Sequence, residues 1–172
     1  YKDEQIMKVS ELSLPGDHNL ENALAAICVA KLSGISNTAI KDVLMTFSGV
    51  KHRLQYIGTK SMIKFYNDSK ATNILATQKA LSGFDNHTLW LLAGGLDRGN
   101  SFDALAKDIV GLKGLIVFGE TAPKLKALAE SLSIPVFNSE DVASAAALAF
   151  DQADQGDTVL LSPANASWDQ YK

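Results

Sequence analysis

The amino-acid sequence predicts a doubly wound α/β domain with a mostly parallel sheet, preceded by a small helical segment. Beyond residue 50, short apolar segments alternate with segments in which apolar residues recur every three or four positions. Two predicted strands, Leu89–Ala93 and Leu115–Phe118, are continuously apolar. Such strands are covered on both faces, as in a parallel sheet between two helical layers. We therefore place a boundary near residue 50 and assign residues 51–172 to a Rossmann-like domain.

The first fifty residues predict a short strand near Gln5–Val9 and two helices. Asn19–Ser33 has helical apolar spacing, and Gly34 supplies its C-terminal stop. Ser36 is the expected N-cap of the second helix. These elements are too few to bury a core alone, so we expect them to pack on something else.

The α/β domain opens with two strands, Leu54–Lys60 and Ser61–Tyr66, joined by a turn that contains Gly58. Alternating helices and strands follow. In order they are helix 72–82, strand Leu89–Ala93, helix 101–110, strand Leu115–Phe118, helix 121–132, strand Ile134–Phe137, helix 140–154 and strand Thr158–Leu161.

Composition and charge exclude several classes of protein. Sixteen Lys and Arg against 19 Asp and Glu give a net charge of −3, which argues against a protein that coats nucleic acid. Cys28 is the single cysteine, so there is no intrachain disulfide framework, and its apolar helix face predicts a core position. No apolar run approaches the roughly 20 residues of a membrane span, and no secretory signal is visible. We expect a cytoplasmic protein that binds neither membrane nor nucleic acid.

Polar or glycine-rich segments follow three of the predicted strands. They are Asn67–Asn73 (NDSKATN), Gly94–Asn100 (GGLDRGN) and Ser162–Asp169 (SPANASWD). Ligands of open parallel sheets bind at the carboxyl ends of the strands. The three segments therefore predict one binding site at this edge of the sheet.

Each segment also has a structural interpretation. Asn67–Asn73 precedes a helix whose free N–H groups suit an anion, but it also fits an Asx turn with a helix cap. Arg98 can clamp a carboxylate or be solvated, and Ser162–Asp169 can be a plain loop. Gly94–Asn100 matches neither a Walker loop nor a dinucleotide fingerprint.

Two further positions are candidates outside these segments. Asn19 is either a helix cap or a ligand contact, and the pair His52-Arg53 at the domain junction can meet a phosphate. No histidine pair has metal-ligand spacing, so no metal site is predicted.

Five motifs in this order resemble the Mur ligases of peptidoglycan synthesis, and among them the D-glutamate-adding ligases. The resemblance covers essentially the whole chain, and the NDSKATN stretch is specific to that branch. The motifs are Gly16–Asn22 (GDHNLEN), His52-Arg53, Asn67–Asn73, Gly94-Gly95 with Asp97–Gly99, and Leu161–Ala164 with Ala166-Ser167.

This resemblance implies an ATP-dependent amide-bond ligase. In such enzymes ATP and Mg²⁺ convert the carboxylate of UDP-N-acetylmuramoyl-L-alanine to an acyl phosphate, which the amine of D-glutamate attacks. The family has a UDP-binding domain, a central ATPase domain and a C-terminal amino-acid-binding domain. The resemblance makes residues 1–50 the tail of the central domain and residues 51–172 most of the C-terminal domain.

The resemblance also implies roles for individual residues. Asn19 and Asn22 match positions near the adenine of ATP. The positions that close over the ATP ribose and phosphates are His52, Arg53, Asp68 and Lys70, and those of the D-glutamate pocket are Thr72, Arg98, Ser167 and Trp168. Arg98 stands where some relatives have lysine. Asn165 replaces a common cysteine, so we assign that position no catalytic role.

The sequence lacks the P-loop pattern Gly-x-x-x-x-Gly-Lys-Ser/Thr, a Mg²⁺-binding set and a uridine domain. We therefore expect this polypeptide to be a fragment that catalyses nothing alone, and we assign no catalytic residue to it. Two alternatives stay open. One is a non-enzymatic α/β module that binds a nucleotide or anion, and the other is a sister amino-acid ligase similar to folylpolyglutamate synthase.

Overall fold

The computed structural model describes residues 4–14 and 17–166, with the backbone alone at Asp17 and His18. The chain forms two compact units, and the boundary between them along the sequence follows Val50. The first contains helices α1 (Asp17–Leu32) and α2 (Asn37–Thr46). Ser36 caps α2 as predicted, because its Oγ accepts a hydrogen bond from Ala39 N at 3.3 Å.

Two predictions for the first unit are wrong. Residues 4–8 form no strand, and Val9–Glu11 is a 3₁₀ turn closed by a hydrogen bond from Glu11 N to Lys8 O (3.0 Å), with Lys8 N donating in return to Glu11 Oε2 (2.7 Å). The described part of this unit offers no second strand to pair with, and an unpaired strand would leave its backbone groups unsatisfied. Cys28 is exposed rather than buried. Helix α1 is apolar over most of its circumference, so spacing alone does not identify the face that packs.

The second unit is built on a six-stranded sheet with the order β1-β2-β6-β3-β4-β5. Strand β1 is antiparallel to β2, and the other neighbours are parallel. The predicted mostly parallel α/β sheet is confirmed. The strands are β1 Gln55–Lys60, β2 Ile63–Asn67, β3 Leu89–Gly94, β4 Gly114–Phe118, β5 Val136–Asn138 and β6 Thr158–Leu161.

Helices cover both faces of this sheet. Helices α3 (Ile74–Leu81), α4 (Ala106–Ile109) and α5 (Ala122–Ser131) pack on one face. Helix α6 (Val142–Gln152) packs on the other through Ala145 and Ala149. The first three crossovers move in one direction across the sheet and the last returns. Because parallel crossovers keep one hand, the return helix lies on the opposite face.

Strands β3 and β4, which contain the two continuously apolar runs, are buried at every residue. A sheet between two helical layers requires this. Alternate residues contribute to separate cores. Leu91 and Leu115 face α3 and α5, whereas Trp90 and Ile116 face α6.

Local details differ from the prediction. The β1–β2 turn is formed by Ser61 and Met62, both with positive φ, and Gly58 instead lies inside β1 at a bulge. The predicted helix 101–110 is a 3₁₀ turn, Asp103–Leu105, followed by the single turn of α4. The Oγ of Ser101 accepts from Asp103 N at 3.1 Å and so favours the tighter turn.

Within residues 4–14 and 17–166, no helix combines the length and apolarity needed to cross a membrane.

Gly114 leaves room for the indole ring of Trp90, its neighbour in the sheet. A Cβ at this position would lie 2.2 Å from Trp90 Cζ3, where no carbon can be accommodated. The indole cannot easily rotate away, since it is buried and its Nε1 donates to Asp157 Oδ2 (3.2 Å).

We predict that Gly114→Ala lowers the free energy of unfolding by about 1–3 kcal/mol, because the added methyl group overpacks a filled core. Urea denaturation of wild type and variant measures this difference. Gly83→Ala is the matched control, since its Cβ would meet only Ala80 O at an ordinary 3.5 Å. Equal effects of the two substitutions would contradict the packing argument.

Candidate functional site

The strand order brings the three polar segments side by side. Strand β6 lies between β2 and β3, so the segments after Asn67, Leu161 and Gly94 leave adjacent strands at the same edge. Backbone bonds from Ser162 N to Leu92 O (3.1 Å) and from Asp68 N to Leu161 O (2.8 Å) continue the pairing into these segments. The predicted convergence is therefore present among the described residues.

The segment after β2 forms a turn that leads into α3. Asn67 Oδ1 accepts from Ser69 N (2.9 Å), and Asn73 Oδ1 caps α3 by accepting from Ala76 N (2.9 Å). The turn-and-cap interpretation thus holds for the two asparagines. It leaves the Lys70 and Thr72 side chains exposed at this edge, where they are available to a ligand.

Asp68 is buried in the same turn, and both of its carboxylate oxygens have protein donors. Oδ1 accepts from Leu54 N and Oδ2 accepts from Ser162 Oγ, each at 3.0 Å. Burial raises the pKa of Asp68, although these two hydrogen bonds and the charge of Arg53 oppose the shift. The carboxylate therefore ties the residues before β1 to the end of β6.

A second buried hydroxyl extends this group. Ser162 Oγ lies 3.0 Å from Thr77 Oγ1 on α3, and both side chains are fully buried. When Asp68 is ionised, Ser162 donates its one hydroxyl hydrogen to Asp68, and the Thr77 hydroxyl can donate to Ser162 Oγ or to Ser162 O (3.4 Å). Strand β6, helix α3 and the β2 turn are thereby fixed to one another.

The predicted pair His52-Arg53 lies beside this turn and is exposed. His52 O accepts from Lys70 N (3.0 Å), and His52 Nδ1 lies 3.1 Å from Asn67 Nδ2. His52 and Leu54 both have positive φ, a conformation that side-chain-bearing residues adopt when their surroundings impose it. The structure therefore brings His52, Arg53 and Lys70 together around buried Asp68.

The segment after β3 is bonded to the segment after β6 and to the start of α5. Gly94 N donates to Pro163 O (3.0 Å), and Leu96 N donates to Ala166 O (2.9 Å). A Cβ on Gly95 would lie 2.4 Å from Ala166 O, so this close approach requires glycine.

Thr121 and Asn165 complete that junction from two other elements. Thr121 donates to Gly95 O through both its N (3.1 Å) and its Oγ1 (3.2 Å). Asn165 Nδ2 donates to Pro163 O (3.0 Å) and to Thr121 Oγ1 (3.4 Å). Both side chains are buried, so Asn165 has a structural role at the site.

Arg98 is exposed on the loop that this junction anchors. Next to it, Asp97 Oδ1 accepts from Gly99 N (2.8 Å), and Asp97 Oδ2 lies 2.8 Å from Lys124 Nζ on α5. The Lys124 ammonium and the Gly99 amide lower the pKa of Asp97. An open cavity of about 550 Å³ lies beside this loop, and its lining includes Gly99, Phe102, Lys124 and Leu128.

Four predicted positions are not part of the described portion of the second unit. Asn19 and Asn22 belong to α1 of the first unit, and their assignment stays a prediction. Ser167 and Trp168 lie outside the described residues. Within the part of the chain that the structure describes, no group of three or more His, Cys, Asp or Glu side chains is placed to hold a metal ion.

Sequence reasoning missed Thr121 and Lys124, which come from a fourth strand end. The stretch Gly119-Glu120-Thr121 follows β4 in the same way as the three segments follow their strands. The same rule for carboxyl ends of parallel strands would have found it.

A protein-family model described as Mur ligase, glutamate ligase domain, matches residues 52–165. The chain belongs to this family. Over all 172 residues it is 67% identical to the UDP-N-acetylmuramoylalanine–D-glutamate ligase of Lactococcus lactis subsp. lactis. It is 60% identical to the protein of the same name from Streptococcus thermophilus. The chain spans 38% of the length of each of these relatives.

Solved Mur ligase structures share the fold. The UDP-N-acetylmuramate-alanine ligase MurC of Thermotoga maritima superposes with a TM-score of 0.67 at 23% identity, over 87% of this chain and 35% of that one. The folylpolyglutamate synthase of the same organism gives 0.60 at 21% identity, over 89% and 37%. These likenesses confirm the Mur ligase C-terminal fold.

We predict that Asp68→Asn makes folding less sensitive to pH. With a raised folded-state pKa, Asp68 contributes stability that is full below the ordinary carboxyl pKa of 3.8 and is lost as pH rises through the raised value. Asparagine keeps an oxygen for Leu54 N and carries no charge. The stability of the variant relative to wild type should therefore rise from about pH 4 upward, as measured by urea denaturation across pH.

Asp141→Asn is the control with the opposite sign. Asp141 caps α6, and its hydrogen bonds with Ser144 lower its pKa. Its stabilising contribution is present above the ordinary pKa and is lost as pH falls, so this variant should lose relative stability as pH rises. Two variants with parallel pH profiles would contradict the burial of Asp68 as the cause.

Proposed function

We propose that this chain is the C-terminal part of an ATP-dependent ligase that adds D-glutamate to UDP-N-acetylmuramoyl-L-alanine in peptidoglycan synthesis. The chain would supply the D-glutamate pocket and part of the surface that closes over ATP. The observation that carries the proposal is the 60–67% identity to D-glutamate ligases along the whole chain. The convergence of the three polar strand ends supports it.

The proposed D-glutamate pocket uses Thr72 and Arg98, together with Ser167 and Trp168. A dicarboxylate requires a cation and several neutral donors, and Arg98 offers a planar fork that matches a carboxylate. Arg98 and Thr72 are both exposed at the polar edge of the sheet. The anchored loop around Gly95 would hold Arg98 in place while the amino group of D-glutamate attacks the activated carboxyl group.

The proposed ATP-closing surface uses His52, Arg53 and Lys70. These three residues lie around one turn. Their cationic and hydrogen-bond-donating side chains suit the oxygens of a phosphate. Asp68 would act beneath them by fixing the backbone at Leu54, since its oxygens are already occupied. Asn19 and Asn22 would approach the adenine. A structural relative, MurF of Thermotoga maritima, was solved in complex with ADP.

The rest of the proposal concerns groups that this chain does not hold. Mg²⁺ would neutralise phosphate charge, and its ligands and most contacts to UDP-N-acetylmuramoyl-L-alanine would come from other domains. We propose a cytoplasmic enzyme, because its nucleotide substrates belong to that compartment.

A ligase of the folylpolyglutamate synthase type is the second candidate, on the basis of the shared fold. Substrate profiling of the full-length enzyme distinguishes the two. Activity with D-glutamate and none with L-glutamate or L-lysine is expected, and preference for L-glutamate would contradict the proposal.

We predict that Arg98→Ala in the full-length ligase weakens D-glutamate binding by about 1–3 kcal/mol, because a charge-assisted hydrogen bond is lost. Isothermal titration calorimetry with D-glutamate measures the change. Lys107→Ala, which removes a cation from α4, should leave the affinity unchanged. Unaltered binding in Arg98→Ala would exclude the proposed pocket.

We predict that Lys70→Ala raises KM for ATP and leaves KM for D-glutamate within about twofold, since Lys70 is assigned to the phosphates. Steady-state kinetics with each substrate varied in turn provide the measurement. Arg98→Ala is the reciprocal control and should raise KM for D-glutamate. A Lys70 variant that alters both constants equally would argue against separate subsites.

A further inference from the structure

Arg98, the proposed carboxylate ligand, has a carboxylate of its own chain as its neighbour. Asp97 precedes it directly, and Glu120 also reaches this loop, since its Oε2 accepts from Asp97 N at 3.0 Å. A dicarboxylate substrate that approaches Arg98 therefore meets two fixed negative charges as well as the guanidinium. Without compensation, these charges would repel the substrate and compete with it for Arg98.

Lys124 provides that compensation for Asp97. Its Nζ lies 2.9 Å from Asp97 Oδ1 and 2.8 Å from Oδ2, so a single ammonium contacts both oxygens. Asp97 Oδ1 also accepts from Gly99 N, which places Arg98 inside a short turn closed by this carboxylate. The ion pair thus joins the Arg98 loop to α5 at the rim of the 550 Å³ cavity.

The ion pair contributes little to folding. The two side chains retain 44% and 29% exposure, and partly exposed pairs of this kind stabilise proteins only weakly. Asp97 is ionised at neutral pH, since even the ordinary aspartate pKa lies far below 7, and Lys124 and Gly99 lower its pKa further. The charge next to Arg98 is therefore permanent under working conditions, and its neutralisation matters more to an anionic ligand than to the fold.

We propose that Lys124 is a positioning residue for the D-glutamate pocket: it neutralises Asp97 and fixes the turn that carries Arg98, so that the guanidinium binds the substrate. This inference rests on the proposed function. In this proposal Lys124 acts through Asp97 and not on the substrate directly, so its effect should disappear when the Asp97 charge is removed.

The test is a double-mutant cycle in the full-length ligase, with KM for D-glutamate and for ATP measured for each variant. Lys124→Met should raise KM for D-glutamate about three- to tenfold, as expected for one uncompensated charge near a solvated ligand. KM for ATP and the melting temperature should stay unchanged. Asp97→Asn keeps an acceptor for Gly99 N and should bind D-glutamate no more weakly than wild type.

The double variant Asp97→Asn/Lys124→Met decides between neutralisation and direct contact. We expect its KM for D-glutamate to return to within about twofold of the Asp97→Asn value. The Lys124→Met effect should also shrink at high ionic strength, because salt screens an exposed charge. A double variant as impaired as Lys124→Met would overturn the proposal and make Lys124 a direct ligand or a structural residue.

Two controls complete the experiment. Lys126→Met removes a cation from the same helix, where its neighbour is Glu130 at 3.9 Å, and should leave both KM values unchanged. Arg98→Ala tests the pocket itself. If Arg98→Ala raises KM for D-glutamate and Lys124→Met does not, the role of Lys124 is overturned and the pocket stands. If Arg98→Ala has no effect either, the proposed function is overturned with it.

Discussion

The insertion of β6 between β2 and β3 is the constraint on which the rest of this structure depends. The chain crosses the sheet in one direction through β3, β4 and β5, and α6 then returns over the opposite face. The return places the last strand beside the first parallel one. It brings together three polar segments that are separated along the chain by up to about a hundred residues, and no local interaction could achieve this.

Once the strands are adjacent, small and hydroxyl-bearing residues fix the segments that leave them. Gly95 permits its backbone to approach Ala166, and Thr121 bonds the same peptide from α5. The hydroxyl groups of Ser162 and Thr77 form hydrogen bonds next to Asp68 and so join the end of β6 to the β2 turn and to α3. Buried hydrogen bonds of this kind are costly to leave incomplete, so they favour a single arrangement of the loops. These bonds fix the backbone of the segments that carry the exposed side chains of Lys70 and Arg98.

Much of the fold could be predicted from the sequence, because its information is local. The unbroken apolar runs at Leu89–Ala93 and Leu115–Phe118 identify buried strands, and helical spacing identifies α3, α5 and α6. The strand order could not be predicted, since it depends on the direction of each crossover. The sequence also could not show that Gly58 lies in a bulge and not in the turn, because glycine is favoured in both and the pairing with β2 decides between them.

The candidate site was predictable to the same extent. The carboxyl-end rule found Lys70 and Arg98 without knowledge of their contacts, whereas His52 was a candidate only because it stands beside Arg53 at the domain junction. The rule could not show that Asp68 is buried, because burial depends on strand β6, which is almost a hundred residues away. Cys28 shows the converse. Its surroundings on α1 are apolar, but exposure is decided by what packs on the helix and not by the helix itself.

Each end of the sheet contains a buried aspartate, and the two aspartates differ in the partners of their carboxylates. At the amino ends of the strands, Asp157 faces a full positive charge, because Lys113 Nζ lies 2.6 Å from its Oδ2. At the carboxyl ends, Asp68 has a backbone amide and a hydroxyl as its donors. Both a nearby cation and neutral hydrogen-bond donors favour the ionised form of a carboxylate, whereas burial opposes it. Asp157 is thus paired with a cation, whereas burial raises the pKa of Asp68 in spite of its two donors and the charge of Arg53. The two ends of the sheet therefore differ in how a buried carboxylate is compensated, and only the carboxyl end combines such a group with the exposed side chains of His52, Arg53 and Lys70.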